Sequence, residues 1–139
     1  MRGYARVVVD IRIVEEADMT GTIGHVEVLA EDPAPLRDFY AAVFGWRVGS
    51  PDPDDPEQLE YSMVQIEDQD DAVSAGIGRL TPGFLPVTFY VQVDDLEAAL
   101  RSIAARGGKT VTPPKELAPG KSLARFSDPA GNVIGLLQG

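Results

Sequence analysis

Hydrophobic and polar positions along the chain switch twice between a period of two and a period of 3.6. Residues 6–14 alternate, with Val7, Val9, Ile11 and Ile13 on one face and Val8, Asp10, Arg12 and Val14 on the other, which predicts a strand. Residues 15–22 read as a loop. Ile23 to Leu29 is the next strand, with His25, Glu27 and Leu29 on one face and Val26 and Val28 on the other. Asp32-Pro33 opens a helix, the Asp as cap and the Pro at the first helical position. Leu36, Phe39, Tyr40, Val43 and Phe44 then recur at helical spacing, a stripe expected to face the core, and Gly45 ends it. Trp46 to Val48 predicts a short strand. Leu59 to Ile66 predicts a longer one, with Leu59, Tyr61 and Met63 on one face. Val73 to Leu80 is a further strand, followed by a Thr81-Pro82-Gly83 turn.

The order then repeats. Val87 to Val93 is a strand and Asp94 the expected helix cap. Leu96, Ala99, Leu100, Ile103 and Ala104 reproduce the spacing of the first helix sixty residues later (96 − 36). Gly107-Gly108 ends the second helix. Lys109 to Val111 reads as a short strand and Pro113-Pro114 as a loop. Ser122 to Ser127 and Val133 to Leu137 are the last strands, joined by a strong turn signal, Asp128-Pro129-Ala130-Gly131-Asn132. A leading strand followed by βαβββ twice implies duplication. The expected fold is α+β. Duplicated βαβββ modules form a curled eight-stranded half-barrel sheet with helices on the outer face, plus an N-terminal extra strand, and the concave face is free to line a cavity. Residues 1–22 form the strand-and-loop extension and 23–139 the domain, with modules at about 23–80 and 86–138.

Composition narrows the function classes. The 139 residues fit one domain. With 12 basic and 22 acidic residues the net charge is −10, which argues against a nucleic-acid partner. The absence of cysteine removes disulfides, Cys nucleophiles and thiolate metal sites. A single histidine removes any site that needs two imidazoles from one chain. The run Val7-Val8-Val9 is too short for a signal-peptide core, and no stretch approaches a membrane span, so a cytoplasmic protein is expected. Between residues 52 and 71 there are nine acids and no base, so almost the whole net charge lies there. The spacing is not that of an EF-hand. Solvated loops around a strand are favoured over a calcium site or a docking patch for a basic partner.

Three stretches resemble the vicinal oxygen chelate superfamily, which includes glyoxalase I, extradiol dioxygenases and bleomycin-resistance proteins. They are Gly24-His25-Val26-Glu27-Val28 with Leu36 to Trp46; Val91 to Leu96 with Ala104 to Lys109; and Phe126 to Leu136, which contains the Asp-Pro-Ala-Gly-Asn hairpin. The resemblance runs from about Gly24 to Gln138. Its details are most similar to a subgroup of predicted enzymes related to lactoylglutathione lyase. It implies four inward residues holding a divalent ion in metal-using members. Those positions fall on His25, on Thr88, on the strand around Gly76 to Arg79, and on Gly135. One ligand of four predicts no metal, no cofactor, and neither glyoxalase I nor dioxygenase chemistry of the metal-dependent kind. By the same resemblance, Thr88, Tyr90 and Gly135 join His25 in facing the cavity, and a homodimer is expected, as for bleomycin-resistance proteins.

Two functions remain open. The leading one is binding of a small, partly apolar or aromatic molecule in the sheet cavity without metal. The alternative is a metal-independent lyase or isomerase for a small carbonyl compound, with His25, Glu27 and Tyr90 in proton transfer. Against that alternative, His25 is read in preference as a remnant hydrogen-bonded within the sheet, and Tyr90 equally well as an aromatic wall. A third possibility, a pure protein-interaction module, rests only on the acidic segment. Arg79, Lys121 and Arg125 are candidates for an anionic ligand, with solvated surface the commoner role for such residues. Gly76-Ile77-Gly78 is no phosphate loop, since it lacks the spacing and the following helix.

Overall fold

The computed structural model describes residues 20–69 and 73–139. The expected strand over residues 6–14 lies outside them. The chain forms β1 (Thr22–Ala30), α1 (Pro33–Phe44), β2 (Arg47–Val48), β3 (Ser62–Gln65), β4 (Ser74–Arg79), β5 (Val87–Gln92), α2 (Leu96–Ala105), β6 (Lys109–Ala118), β7 (Lys121–Ser127) and β8 (Val133–Gln138). All eight strands make one mixed sheet in the order β2-β3-β4-β1-β5-β8-β7-β6. Each module supplies four neighbouring strands, and the modules meet where β1 pairs antiparallel with β5. The sheet is not closed into a barrel, yet its ends approach each other. Lys115 Nζ on the edge strand β6 meets Glu57 Oε1 in the β2–β3 loop at 2.7 Å.

Local chemistry accounts for the element ends. Asp32 caps α1, with Pro33 in the first turn, and Gly45 ends it in the left-handed region at φ 70°, its N–H donating to Ala41 O. Asp95, not Asp94, caps α2, since it is the Asp95 carboxylate that accepts from Ala98 N at 3.1 Å. The final hairpin is held by Asp128, whose carboxylate accepts from Ala130 N, Asn132 N and Asn132 Nδ2, each at 2.9 Å. These bonds, those from Asn132 first, hold Asp128 below the usual carboxylate range.

Two strand expectations change. The strand expected from Leu59 begins only at Ser62, because Gln58 and Glu60 sit at φ 51° and 50° and break the extended backbone. Pro113-Pro114 is not a loop but lies inside β6. An edge strand does not need those two N–H groups, and the pairing with β7 shifts register between Thr112 and Lys115, where the prolines fall.

The outer face carries the core in two halves. Val64, Ala75 and Ile77 pack with Leu36, Tyr40 and Trp46 under α1. Val93, Leu96, Leu100, Ala124 and Leu136 pack with Ile103 and Phe126 under α2. The α1 stripe is only partly absorbed. Phe39, Val43 and Phe44 remain 54%, 55% and 59% exposed, because α1 rests on β1, β2 and β4, and these strands accept only the Leu36–Tyr40 side of the stripe.

Candidate functional site

Strand parity sends a second set of residues to the concave face. His25 lies opposite Ser74 on β4 and Tyr90 on β5; Glu27 lies opposite Gly76 and Thr88. Tyr90 in turn lies opposite Gly135 on β8, and Gly135 opposite Arg125 on β7. The same row therefore crosses five strands. It contains Gly135, and Gly76 and Gly78 lie beside it on β4; two tyrosines fill the space these glycines leave. The Tyr61 ring lies against Gly76 and Gly78, and the Tyr90 ring against Gly135, so closely that a Cβ at any of the three would overlap a ring. The Tyr61 and Tyr90 rings thus fill the part of the concave face that lies over these three glycines.

These side chains form one hydrogen-bonded chain. His25 Nδ1 is 2.5 Å from Ser74 Oγ, and His25 Nε2 is 2.6 Å from the Tyr61 hydroxyl. Tyr61 is 3.1 Å from Glu27 Oε1. Tyr90 donates to Glu27 Oε2 at 3.2 Å and accepts from Arg125 Nη2 at 2.6 Å. Ser74 closes the other end on the Gly24 carbonyl at 3.2 Å. Glu27, 5% exposed, and Tyr90, 3% exposed, are buried. Thr88 stands apart, its hydroxyl donating to Val133 O at 2.8 Å.

Burial sets the electrostatics. Desolvation pushes Glu27 above the usual carboxylate range, against the Tyr61 hydrogen bond, the charge of Arg125 and the Tyr90 hydrogen bond, which pull it down. Desolvation pushes His25 below its ordinary value. Tyr90 is pushed up to about 12 by desolvation and by the Glu27 charge, and Tyr61 is raised further for the same reasons. Both tyrosines are therefore fixed hydroxyls at neutral pH, while Glu27 and His25 move toward each other.

Counting hydrogens gives the chain two self-consistent directions. With Glu27 ionised, Tyr61 donates to Glu27 and accepts from the His25 Nε2–H. With Glu27 protonated, Glu27 donates to Tyr61, Tyr61 to His25 Nε2, the His25 Nδ1–H to Ser74, and Ser74 to the Gly24 carbonyl. The second direction satisfies every contact at once, and so does the first when His25 carries both ring protons. A proton passing between Glu27 and His25 through Tyr61 reverses two hydrogen bonds without moving a heavy atom.

Of the residues singled out from sequence, the structure brings His25, Glu27 and Tyr90 together, but not as a His25–Tyr90 pair. Their rings meet edge to face, with centroids 5.5 Å apart, and the Tyr90 hydroxyl serves Glu27. Gly135 contributes space and no group. Tyr61, Ser74 and Phe84 carry parts that sequence reasoning missed, and Arg125 belongs to the network instead of the solvated surface. The available signal was the Gly76-x-Gly78 pair on one strand face, a bare floor that requires a large neighbour. Arg79 is taken by Glu60 in an ion pair. A cavity of about 330 Å³ opens beyond the network, lined by Arg47, Gln65, Glu67, Gln69 and Ser74 among others. It shares only Ser74 with the network.

The positions at which the family resemblance implies a divalent ion can be tested on their donors. His25 has both ring nitrogens engaged, Thr88 points its hydroxyl hydrogen at a backbone carbonyl, Gly135 lies under the Tyr90 ring, and Gly76 and Gly78 lie under the Tyr61 ring. Among the described residues no three His, Cys, Asp or Glu side chains are grouped so as to hold an ion. This donor set does not fit a metal.

A duplicated βαβββ arrangement in one eight-stranded sheet that is not closed into a barrel defines the class of fold. Residues 22–136 match the model of the Glyoxalase/Bleomycin resistance protein/Dioxygenase superfamily, and the chain belongs to that family. The Mycobacterium bovis protein named "Putative glyoxylase CFP32" is 26% identical over 120 residues, which are 85% of this chain and 46% of that protein. The chain thus spans about half the length of the curated relatives it matches. Among solved structures, methylmalonyl-CoA epimerase from Mycobacterium tuberculosis superposes with a TM-score of 0.65 at 15% identity, over 90% of this chain and 93% of that one. A methylmalonyl-CoA epimerase in complex with methylmalonyl-CoA and ammonium gives 0.64 at 18% identity, over 85% and 94%. These likenesses establish the fold. Among the described residues, no helix is long and apolar enough to cross a membrane.

Proposed function

We propose that this chain is a metal-independent binding protein for a small, partly apolar or aromatic molecule, which it takes on the concave face of the sheet. The observation that carries this reading is the polar chain from Ser74 to Arg125 with a buried carboxylate, Glu27, at its centre. Apolar packing would be the cheaper way to fill that face, and a buried polar network is retained where it does something else. A thermal-shift screen of small molecules, followed by chemical-shift mapping, tests it. Ligands should perturb His25, Tyr90 and Arg125. Stoichiometric zinc, nickel or iron bound through His25 would overturn the metal-free reading, and mapping to the outer face would overturn the site.

A second reading rests on the Glu27–Tyr61–His25 relay: a metal-independent lyase or isomerase acting on a small carbonyl compound. In this reading proton transfer falls to Glu27 and His25, with Tyr61 between them and Tyr90 a fixed donor. The epimerase neighbours add an analogy of fold only. A chelator-insensitive activity abolished by His25→Ala in a folded protein would separate this reading from simple binding.

The working form is proposed to be a cytoplasmic homodimer. Val26 and Val87 lie exposed on the outer face of the central strands, with Phe39 and Val43 on α1. The curated relatives are long enough for a second domain of this size. A monomer at micromolar concentration in analytical ultracentrifugation would refute it.

A further inference from the structure

Arg125 is the charged group of the concave face that the hydrogen-bond chain does not exhaust. Its guanidinium lies over the Phe84 ring at 4.4 Å and against the Tyr90 ring at 5.5 Å. Phe84 comes from the segment joining the two modules and Tyr90 from β5, so the cation lies against two aromatic rings from different elements of the chain. Gly135, its neighbour in register, has no side chain to crowd it. Of five N–H donors, the recorded hydrogen bond uses one Nη2 hydrogen, on the Tyr90 hydroxyl. Arg125 is half-buried, and none of its nitrogens is among the buried side-chain atoms that lack a partner. The ion pairs recorded among the described residues are Arg79–Glu60 and Lys115–Glu57. Glu27 feels the Arg125 charge but meets it only through the Tyr90 hydroxyl.

A guanidinium held against aromatic rings with N–H donors to spare binds planar oxyanions in two parallel hydrogen bonds. Stacking holds the fork in place before a ligand arrives, so little side-chain freedom is lost on binding. The partner that matches this edge is a carboxylate: it is planar, and it carries one negative charge beside the Glu27 site, where a phosphate dianion carries more. The Phe84 ring offers apolar surface beside the guanidinium, and Leu85, next to it in sequence, is exposed. Resting on the reading of the concave face as a ligand site, we propose that Arg125, packed against Phe84 and Tyr90, anchors the carboxylate of the ligand, which makes the ligand class small aromatic or partly apolar monocarboxylic acids.

Calorimetric or NMR titration with benzoate, benzamide and phenyl phosphate tests this on the wild-type chain and on Arg125→Gln. Benzoate should bind about tenfold more tightly than benzamide, because hydrogen bonds to charged groups are the stronger kind, and more tightly than phenyl phosphate. Arg125→Gln should weaken benzoate more than benzamide and so remove that preference; Arg125→Lys should restore part of it. Equal affinity for benzoate and benzamide, with shifts on the concave face, overturns the carboxylate anchor and leaves the ligand site standing. A preference for phenyl phosphate also overturns it. No binding by any probe counts against both the anchor and the ligand site. If Arg125→Gln does not fold, the wild-type comparison of benzoate with benzamide decides alone.

Discussion

Replacing Tyr61 with Phe deletes one oxygen from the middle of the polar chain and keeps the ring that lies on Gly76 and Gly78. Two partners lose a contact: His25 Nε2 at 2.6 Å and Glu27 Oε1 at 3.1 Å. His25 is half-buried and can recover water; Glu27, 5% exposed, cannot. A buried acceptor left without its donor costs about 1–3 kcal/mol, and the intact ring adds no cavity term, so a loss of about 2 kcal/mol is expected. For a chain of this length that corresponds to a fall in Tm of roughly 5–10 °C. A second consequence has a fixed sign. The Tyr61 hydrogen bond holds the raised Glu27 pKa down, so Tyr61→Phe must raise it further. Urea denaturation at pH 7 reads the stability, and carbon-13 NMR titration of the Glu27 carboxyl reads the pKa. A stability change below about 0.5 kcal/mol, or a Glu27 pKa that stays or falls, would refute the relay geometry.

The remaining predictions concern the site's neighbours. Gly135→Ala should destabilise by about 1–3 kcal/mol through overlap with the Tyr90 ring, and by less in a Tyr90→Ala background; equal costs in both backgrounds would break the assigned contact. Ser62 is buried with its hydroxyl unpartnered, so Ser62→Ala should be neutral or stabilise by about 1 kcal/mol in denaturant melts, and a clear loss would show a missed partner. His25 is held below 6.5, so its contribution to stability is present above pH 6.5 and is lost as pH falls through its folded pKa. Glu27 is held above 4.5, so its contribution is present below pH 4.5 and is lost as pH rises through its folded pKa. In denaturation curves from pH 4 to 8, His25→Gln should flatten the acid-side fall and Glu27→Gln the opposing one; unchanged pH profiles would contradict the burial of these groups.

The repeated helical stripe, the period-two strands, the Asp-Pro helix start and the Asp128 hairpin are local signals. Each acts within a few residues, so the βαβββ duplication was legible without coordinates. Parity also placed His25 with Glu27, and Thr88 with Tyr90, on shared faces. It could not say which residues meet across strands. Tyr61 stands 36 residues from His25 and 34 from Glu27, and the loop before it breaks the strand pattern through positive φ at Gln58 and Glu60. Arg125 read as surface because nothing in its own strand shows that Phe84 covers it.

What the sequence determined by itself was therefore the set of elements, their duplication, and the lack of a second imidazole or any thiol; these follow from side-chain chemistry and short-range periodicity. The tertiary structure alone decided that β1 and β5 meet, that the bare positions at Gly76, Gly78 and Gly135 are filled by Tyr61 and Tyr90, and that a buried carboxylate connects the single histidine to an arginine. Strand register and burial make those choices. Both depend on contacts between distant parts of the chain, where the free energy of a side chain is set by what it is packed against.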